Sequence, residues 1–189
     1  YPDTKLYDPF CGSGTFLIEA AYKAKNIAPG LYRRFAAESW ACLPKKVWQS
    51  QREDALSQIR KEIDFRAFGS DISPEALEIA TGNLKKANVA SLAEVKQMDV
   101  NDFVVPEEKS IVVCNPPYGE RLLDAREAEE LCRTMGRVFL PSDHVGYFII
   151  SSVENFEELF GRPADKRRKL YNGMVKCQLY LYFPQGRKG

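Results

Sequence analysis

Apolar positions follow two alternating rhythms along this chain. "KLYD" is a short apolar run that reads as a strand ending at Asp8. "GTFLIEAAYKAKN" follows with Phe16, Leu17, Ala20, Ala21 and Ala24 on one helical face. Residues 29–62 interrupt the pattern: "LYRRFAAESW" and "KKVWQSQREDALSQIRKEI" both read as helices, separated by Pro44. The alternation then resumes. "FRAFGSDI" is a strand. "SPEALEIATGNLKKANV" is a helix with Ser73 as N-cap and Pro74 in the first turn. "AEVKQMDV" and "SIVVCN" are strands, and "AREAEELCRTMGRVFL" is a helix stopped by Pro141. "VGYFIIS" has the continuous apolar character of a central parallel strand, and "VENFEELFG" is a short helix closed by Gly161. The last stretch, "KRRKLYNGMVKCQLYLYF", has two strand-like runs joined by Asn172-Gly173, a strong hairpin signal.

Repeated βα units predict an α/β fold: a doubly wound, mostly parallel sheet that finishes in a C-terminal antiparallel hairpin, with ligands at the carboxyl ends of the strands. The 189 residues suit one domain, 1–189, with a helical insertion at about 29–62.

Composition narrows this picture only a little. A hydrophobic fraction of 44% and an aromatic fraction of 12% are enough for a full core. The net charge of +1 favours neither nucleic acid nor membrane. Five cysteines, an odd number with no CxxC pair, argue against a disulfide framework or a zinc site and for a reducing, cytoplasmic compartment. No apolar run approaches the ~20 residues of a membrane span, and the first residues carry no signal-peptide pattern. The chain starts almost on its first motif, so it reads as a domain of a longer protein.

Candidate chemistry begins at "YDPFCGSGT", which links the first strand to the first helix. Gly12 and Gly14 permit a sharp turn and close approach of a ligand. No Lys follows, as a P-loop needs, and the third Gly of a dinucleotide fingerprint is missing. Asp8 ends the first strand, where it can accept from a cationic ammonium. Asp71 ends the second, where a carboxylate can hold ribose hydroxyls. Asp99 ends the third, where it can accept from an adenine amino group, with Ile72 and Val100 on the two faces of the ring.

"IVVCNPPYGERL" carries the second signal. Proline lacks an N–H, and Pro117 keeps Pro116 out of helical geometry, so this turn stays extended with free carbonyls. The Asn115 side-chain oxygen and the Pro116 carbonyl can then grip one guest with two N–H donors, a primary amide or the exocyclic amine of a base. Tyr118 offers a flat face for stacking. Two such acceptors favour the pyramidal nitrogen that attack on an electrophile requires and stabilise its developing charge. No metal and no covalent enzyme intermediate are needed.

In that order, "DPFCGSGT", "GSDI" and "NPPYGERL" resemble the class I S-adenosylmethionine-dependent amino-methyltransferases. "NPPYGERL" with "FG..A.KRRKLYNG" resembles one branch, the THUMP-associated RNA guanine-N2 methyltransferases, whose relatives often carry the label N6-adenine-specific DNA methylase. The resemblance implies the class I methyltransferase fold and methyl transfer to guanine N2 in RNA, ribosomal RNA foremost, with an RNA-binding THUMP region upstream. It implies that Asp8, Phe10, Gly12, Gly14 and Thr15 line the methionine end of the cofactor. Asp71 and Ile72 serve the ribose and adenine, and Asp99 and Val100 the adenine. Asn115, Pro116, Pro117 and Tyr118 form the catalytic turn. Three other readings share these residues: adenine N6 methylation, glutamine methylation of a protein, and an idle RNA-binding module.

Cys11 and Cys114 sit in or beside these motifs and read as packing residues. His144 reads as a turn residue. Lys166, Arg167, Arg168 and Lys169 fit either phosphate contacts or a solvated edge strand. Glu120 and Arg121 fit either a role at the base or the start of the next helix.

Overall fold

The structure is a computed structural model that describes residues 4–117 and 124–184. In chain order its elements are β1 (Lys5–Asp8), α1 (Thr15–Lys25), α2 (Lys45–Ser57), β2 (Ala67–Asp71), α3 (Pro74–Lys86), β3 (Ala93–Gln97), β4 (Ser110–Cys114), α4 (Ala125–Phe139), β5 (Gly146–Ser151), α5 (Phe156–Phe160), β6 (Lys166–Asn172) and β7 (Val175–Tyr182). The strands form a 7-stranded sheet in the order β3-β2-β1-β4-β5-β7-β6. β1 to β5 are mutually parallel, and β7 runs against both β5 and β6. β6 therefore points the same way as the parallel strands, and β7 is the reversed member.

Local chemistry sets the ends of several elements. Ser73 caps α3 by accepting from the Ala76 N–H at 3.1 Å, with Pro74 in the first turn. Asp124 and Glu127 form a reciprocal capping box that starts α4. Gly161 ends α5 in the left-handed region at φ 88. The β6–β7 hairpin turns at Gly173-Met174, one residue beyond the Asn172-Gly173 turn that the sequence predicts: Asn172 ends β6 and pairs with Val175, and Gly173 takes the left-handed φ of 61.

Helices cover both faces. Leu17 and Ala21 of α1 and Leu84 of α3 pack with Phe65 and Ala67 on one side. Cys132, Met135 and Phe139 of α4, with Phe156 and Phe160 of α5, pack on Val112, Tyr147, Ile149, Tyr180 and Tyr182 on the other. These are the two faces expected of a right-handed chain that leaves β1 toward β2 and returns to β4 on the far side.

Residues 31–40 differ from expectation. They form no α-helix, only a single 3₁₀ turn at Ala36–Ser39. The carbonyls that a helix would have bonded are taken by a distant side chain: Arg52 of α2 donates to the Leu31 C=O at 3.1 Å and to the Arg33 C=O at 2.9 Å. Arg52 also pairs with Glu38, whose carboxylate accepts from the Phe35 N–H at 2.8 Å. Tertiary bonds have replaced local ones. The ends of this excursion meet: the Arg60 N–H donates to the Lys25 C=O at 2.8 Å, and the Asn26 amide donates to the Gln58 C=O at 3.1 Å.

Candidate active site

A cavity of about 590 Å³ opens where the carboxyl ends of β1, β2, β3 and β4 converge, at the point where strand order reverses. Its wall takes Pro9, Phe10 and Gly12 from the turn after β1, and Asp71 and Ile72 from the end of β2. Met98 to Asn101 follow β3, and Asn115 and Pro117 follow β4.

The Gly-rich turn is fixed from beneath. The Gly12 N–H donates to Asp71 Oδ2 at 2.9 Å, and the Cys11 N–H to the Ser70 C=O at 2.9 Å. Gly12 has φ +48 and Gly14 φ +80, both in the region that favours glycine. A Cβ on Gly14 would lie 3.3 Å from the Ala80 Cβ of α3, while a Cβ on Gly12 would meet nothing within 4 Å. Gly14 lets α1 and α3 pack closely, and Gly12 leaves open space at the cavity wall.

Asp71 also accepts from the Ser73 N–H through Oδ1 at 3.0 Å. Each carboxylate oxygen thus has one backbone donor and a second lone pair left for a guest. Asp99 lies just past β3, where its Oδ1 accepts from the N–H and the side-chain amide of Asn101, both at 2.8 Å. Those bonds hold its carboxyl below the usual range. Ile72 is 65% exposed and Val100 is buried; both border the cavity with Met98 and Leu131. An apolar slot flanked by two carboxylates has the chemistry to hold a nucleoside: a flat ring between aliphatic side chains, hydroxyls and an amine at the acceptors.

Asp8 is 1% exposed and stands behind the wall. Burial pushes its carboxyl up to about 7; a bond from the Phe10 N–H at 3.2 Å opposes this, and nearby Asp71 adds to it. Gly14 is buried at the start of α1. Thr15 is exposed, 3.1 Å from the Ser13 hydroxyl. Neither Gly14 nor Thr15 borders the cavity, and Pro116 is buried behind it, so the predicted residues divide into a lining set and a supporting set. Tyr118, Glu120 and Arg121 lie outside the described residues.

The Asn115 side-chain oxygen is buried and has no hydrogen-bond partner among the described residues. An orphan acceptor of this kind costs about 1–3 kcal/mol until a donor arrives. The neighbouring thiols are no nucleophiles: burial drives Cys114 well above its ordinary value and Cys11 up to about 12. His144 braces a loop, 2.9 Å from the Pro106 C=O. Among the described residues, no group of His, Cys, Asp or Glu could hold a metal ion.

Sequence reasoning missed the contribution of α4. Glu127, Glu130, Leu131 and Thr134 close the cavity from the side. Their i, i+3, i+4, i+7 spacing on one helical face is visible in the sequence; that this face ends over the cleft is set by the packing of α4 on the sheet.

This strand order, with a Gly-rich turn after β1, carboxylates at β2 and β3 and Asn-Pro after β4, is the class I methyltransferase arrangement. The chain belongs to the family described as RMKL-like, methyltransferase domain, which matches residues 1–180. It is 41% identical over 186 residues to YpsC of Bacillus subtilis (strain 168), provisionally named an RNA methyltransferase, covering 98% of this chain and 48% of YpsC. It is 37% identical to "Ribosomal RNA large subunit methyltransferase K/L" of Legionella pneumophila (strain Corby), covering 93% of this chain and 25% of that protein. The chain therefore spans about half, or a quarter, of these relatives. Among solved structures, SMU.472, provisionally named a methyltransferase and complexed with SAH, superposes with a TM-score of 0.94 at 40% identity, over 100% of this chain and 50% of that one. A predicted N6-adenine-specific DNA methylase from Listeria monocytogenes str. 4b F2365 superposes with a TM-score of 0.88 at 40% identity, over 97% of this chain and 47% of that one. Among the described residues, no helix is long and apolar enough to cross a membrane.

Proposed function

We propose that this domain transfers a methyl group from S-adenosylmethionine to the exocyclic N2 amine of a guanine in ribosomal RNA. The observation that carries this reading is the buried Asn115 oxygen, without a donor among the described residues, beside the cavity lined by Asp71, Ile72, Asp99 and Val100. A primary aromatic amine supplies the donor that this oxygen lacks. SAH in the SMU.472 complex supports the cofactor, and the names of YpsC and the Legionella protein support RNA, ribosomal RNA in particular. The resemblance of "NPPYGERL" and "KRRKLYNG" to the guanine-N2 branch supports the base.

When bound, the cofactor supplies an electrophilic methyl group, which leaves the chain to position and activate a nucleophile. Asp71 accepts from ribose hydroxyls through its spare lone pairs, and Asp99 from the adenine amine. Phe10 and Gly12 shape the methionine end. Asn115 Oδ1 and the Pro116 carbonyl each accept one N–H of the target amine. That grip frees its lone pair for attack and stabilises the positive charge that develops. Tyr118 stacks on the base.

The test is transfer of labelled methyl by the full-length protein to unmodified ribosomal RNA, DNA and protein, with the products digested. N2-methylguanosine from RNA is the expected product. N6-methyladenine would move the target to the other base amine, and methylglutamine would replace RNA by protein.

A further inference from the structure

The β6–β7 hairpin rises above the edge of the sheet that carries the active site. Ser151, the last residue of β5, pairs with Gln178 of β7. Val175, Lys176 and Cys177 continue past that rung, paired with Asn172, Tyr171 and Leu170 of β6. At ~3.3 Å per residue the hairpin projects about 10 Å beyond β5. It does so at the carboxyl edge, because β7 enters the sheet there and β6 leaves it there. Asn115 follows Cys114, which is level with Ile149 of β5, so the tip stands above the catalytic turn. Sideways, β6 lies three strand spacings from β4, or about 14 Å.

The tip is built for contact. Tyr171 is 73% exposed and Met174 98%, although both are large and apolar. Tyr171 stands directly opposite Lys176, so ring and ammonium share one face. Between Lys166 and Tyr182 there are five cations and no acidic residue, in a chain whose net charge is +1. Arg167 alone has a described acidic partner, Glu157 of α5 at 3.0 Å. The register places Arg167, Lys169 and Tyr171 on one face and Lys166 and Arg168 on the other. A solvated edge strand would use its charges without an exposed ring and a bare methionine at its end.

We infer that the protruding hairpin is a docking surface for the RNA strand that flanks the target base. Tyr171 stacks a flanking base, Met174 packs beside it, and Lys176 meets a phosphate. An aromatic face next to a cation is the recurrent means of holding single-stranded nucleic acid. This inference rests on RNA being the substrate.

The test uses the full-length protein with ribosomal RNA as methyl acceptor and compares kcat, KM for RNA and calorimetric affinity for S-adenosylhomocysteine. Tyr171→Ala should raise KM for RNA roughly tenfold, the size of one lost stack. Tyr171→Phe, which keeps the ring, should return KM to within about twofold of the unaltered protein. Lys176→Gln should reduce the dependence of log KM on log salt by about one phosphate contact. In all three, kcat and S-adenosylhomocysteine affinity should hold. An unaltered protein that methylates RNA with unchanged KM in Tyr171→Ala and Lys176→Gln would overturn the docking surface and leave the RNA reading intact. An unaltered protein that methylates protein or DNA and not RNA would overturn both.

Discussion

The two halves of the cleft treat their hydrogen-bonding groups differently. On the β1–β2–β3 side the Asp71 and Asp99 carboxylates already have protein donors. Asp71 takes the N–H groups of Gly12 and Ser73, and Asp99 takes both N–H donors of Asn101. On the β4 side the Asn115 oxygen is buried without one among the described residues. The first half is rigid before any ligand arrives, as suits a ligand that is the same in every turnover. The second holds back an unsatisfied bond, which the proposed target amine would complete. On the function proposed above, preorganisation would serve binding on one side, and withheld satisfaction the chemical step on the other.

Breaking the β4 side should therefore hurt rate and spare affinity. Asn115→Ala should slow single-turnover methyl transfer by ~10²-fold or more, with calorimetric affinity for S-adenosylhomocysteine nearly unchanged. A full-rate mutant would remove Asn115 from the chemistry.

Asp71→Ala should do the opposite. It removes a charged acceptor worth roughly 1.5–3 kcal/mol to its partners, so cofactor affinity should fall by ten- to a hundred-fold in calorimetry. It also releases the Gly12 turn. An unchanged dissociation constant would show that the ribose sits elsewhere.

Asp8 supplies a sharper test, because its carboxyl is raised to about 7. A cationic cofactor tail near Asp8 needs the ionised form, so affinity should be full above pH 7 and fall about tenfold per unit below it. Asp8→Asn should flatten that profile. The sign for folding follows from the same shift. A raised carboxylate binds more protons folded than unfolded, so its contribution to stability is complete below about 4 and is lost as pH rises toward 7. The ligand-free protein should therefore lose stability over the interval in which its cofactor affinity grows.

The smallest expected effect is at Ser73. Ser73→Ala removes the α3 cap but keeps the backbone N–H that serves Asp71. It should lower stability by ~1 kcal/mol and the melting temperature by about 2–4 °C, with cofactor affinity and turnover unmoved. A large loss of affinity would mean that the cap also orders the site.

Much of this was legible in the chain itself, because its signals are local. Ser73 with Pro74 and Gly161 mark element ends through short-range bonds and φ preferences, and Asn172-Gly173 marks the hairpin to within one residue of its turn at Gly173-Met174. The strand ends that carry Asp8, Asp71 and Asn115 follow from apolar runs that stop. Two features were not legible, both for the same reason. Residues 31–40 lack their helix because Arg52 satisfies their carbonyls from a distance. The α4 face at Glu127, Leu131 and Thr134 borders the cleft only because of how α4 lies on the sheet. Local rules do not contain either contact.

The clamp between Lys25–Asn26 and Gln58–Arg60 has an evolutionary consequence. An excursion whose two ends are tied to each other can change length without moving its anchor points. Doubling its length would cost only about 0.6 kcal/mol in closure entropy. Asp71 and Gly12 lie beyond the clamp and hold each other directly. Insertions and deletions can therefore accumulate between α1 and β2 while the cofactor cleft keeps its shape, giving the lineage a region free to acquire new surfaces without renegotiating its chemistry.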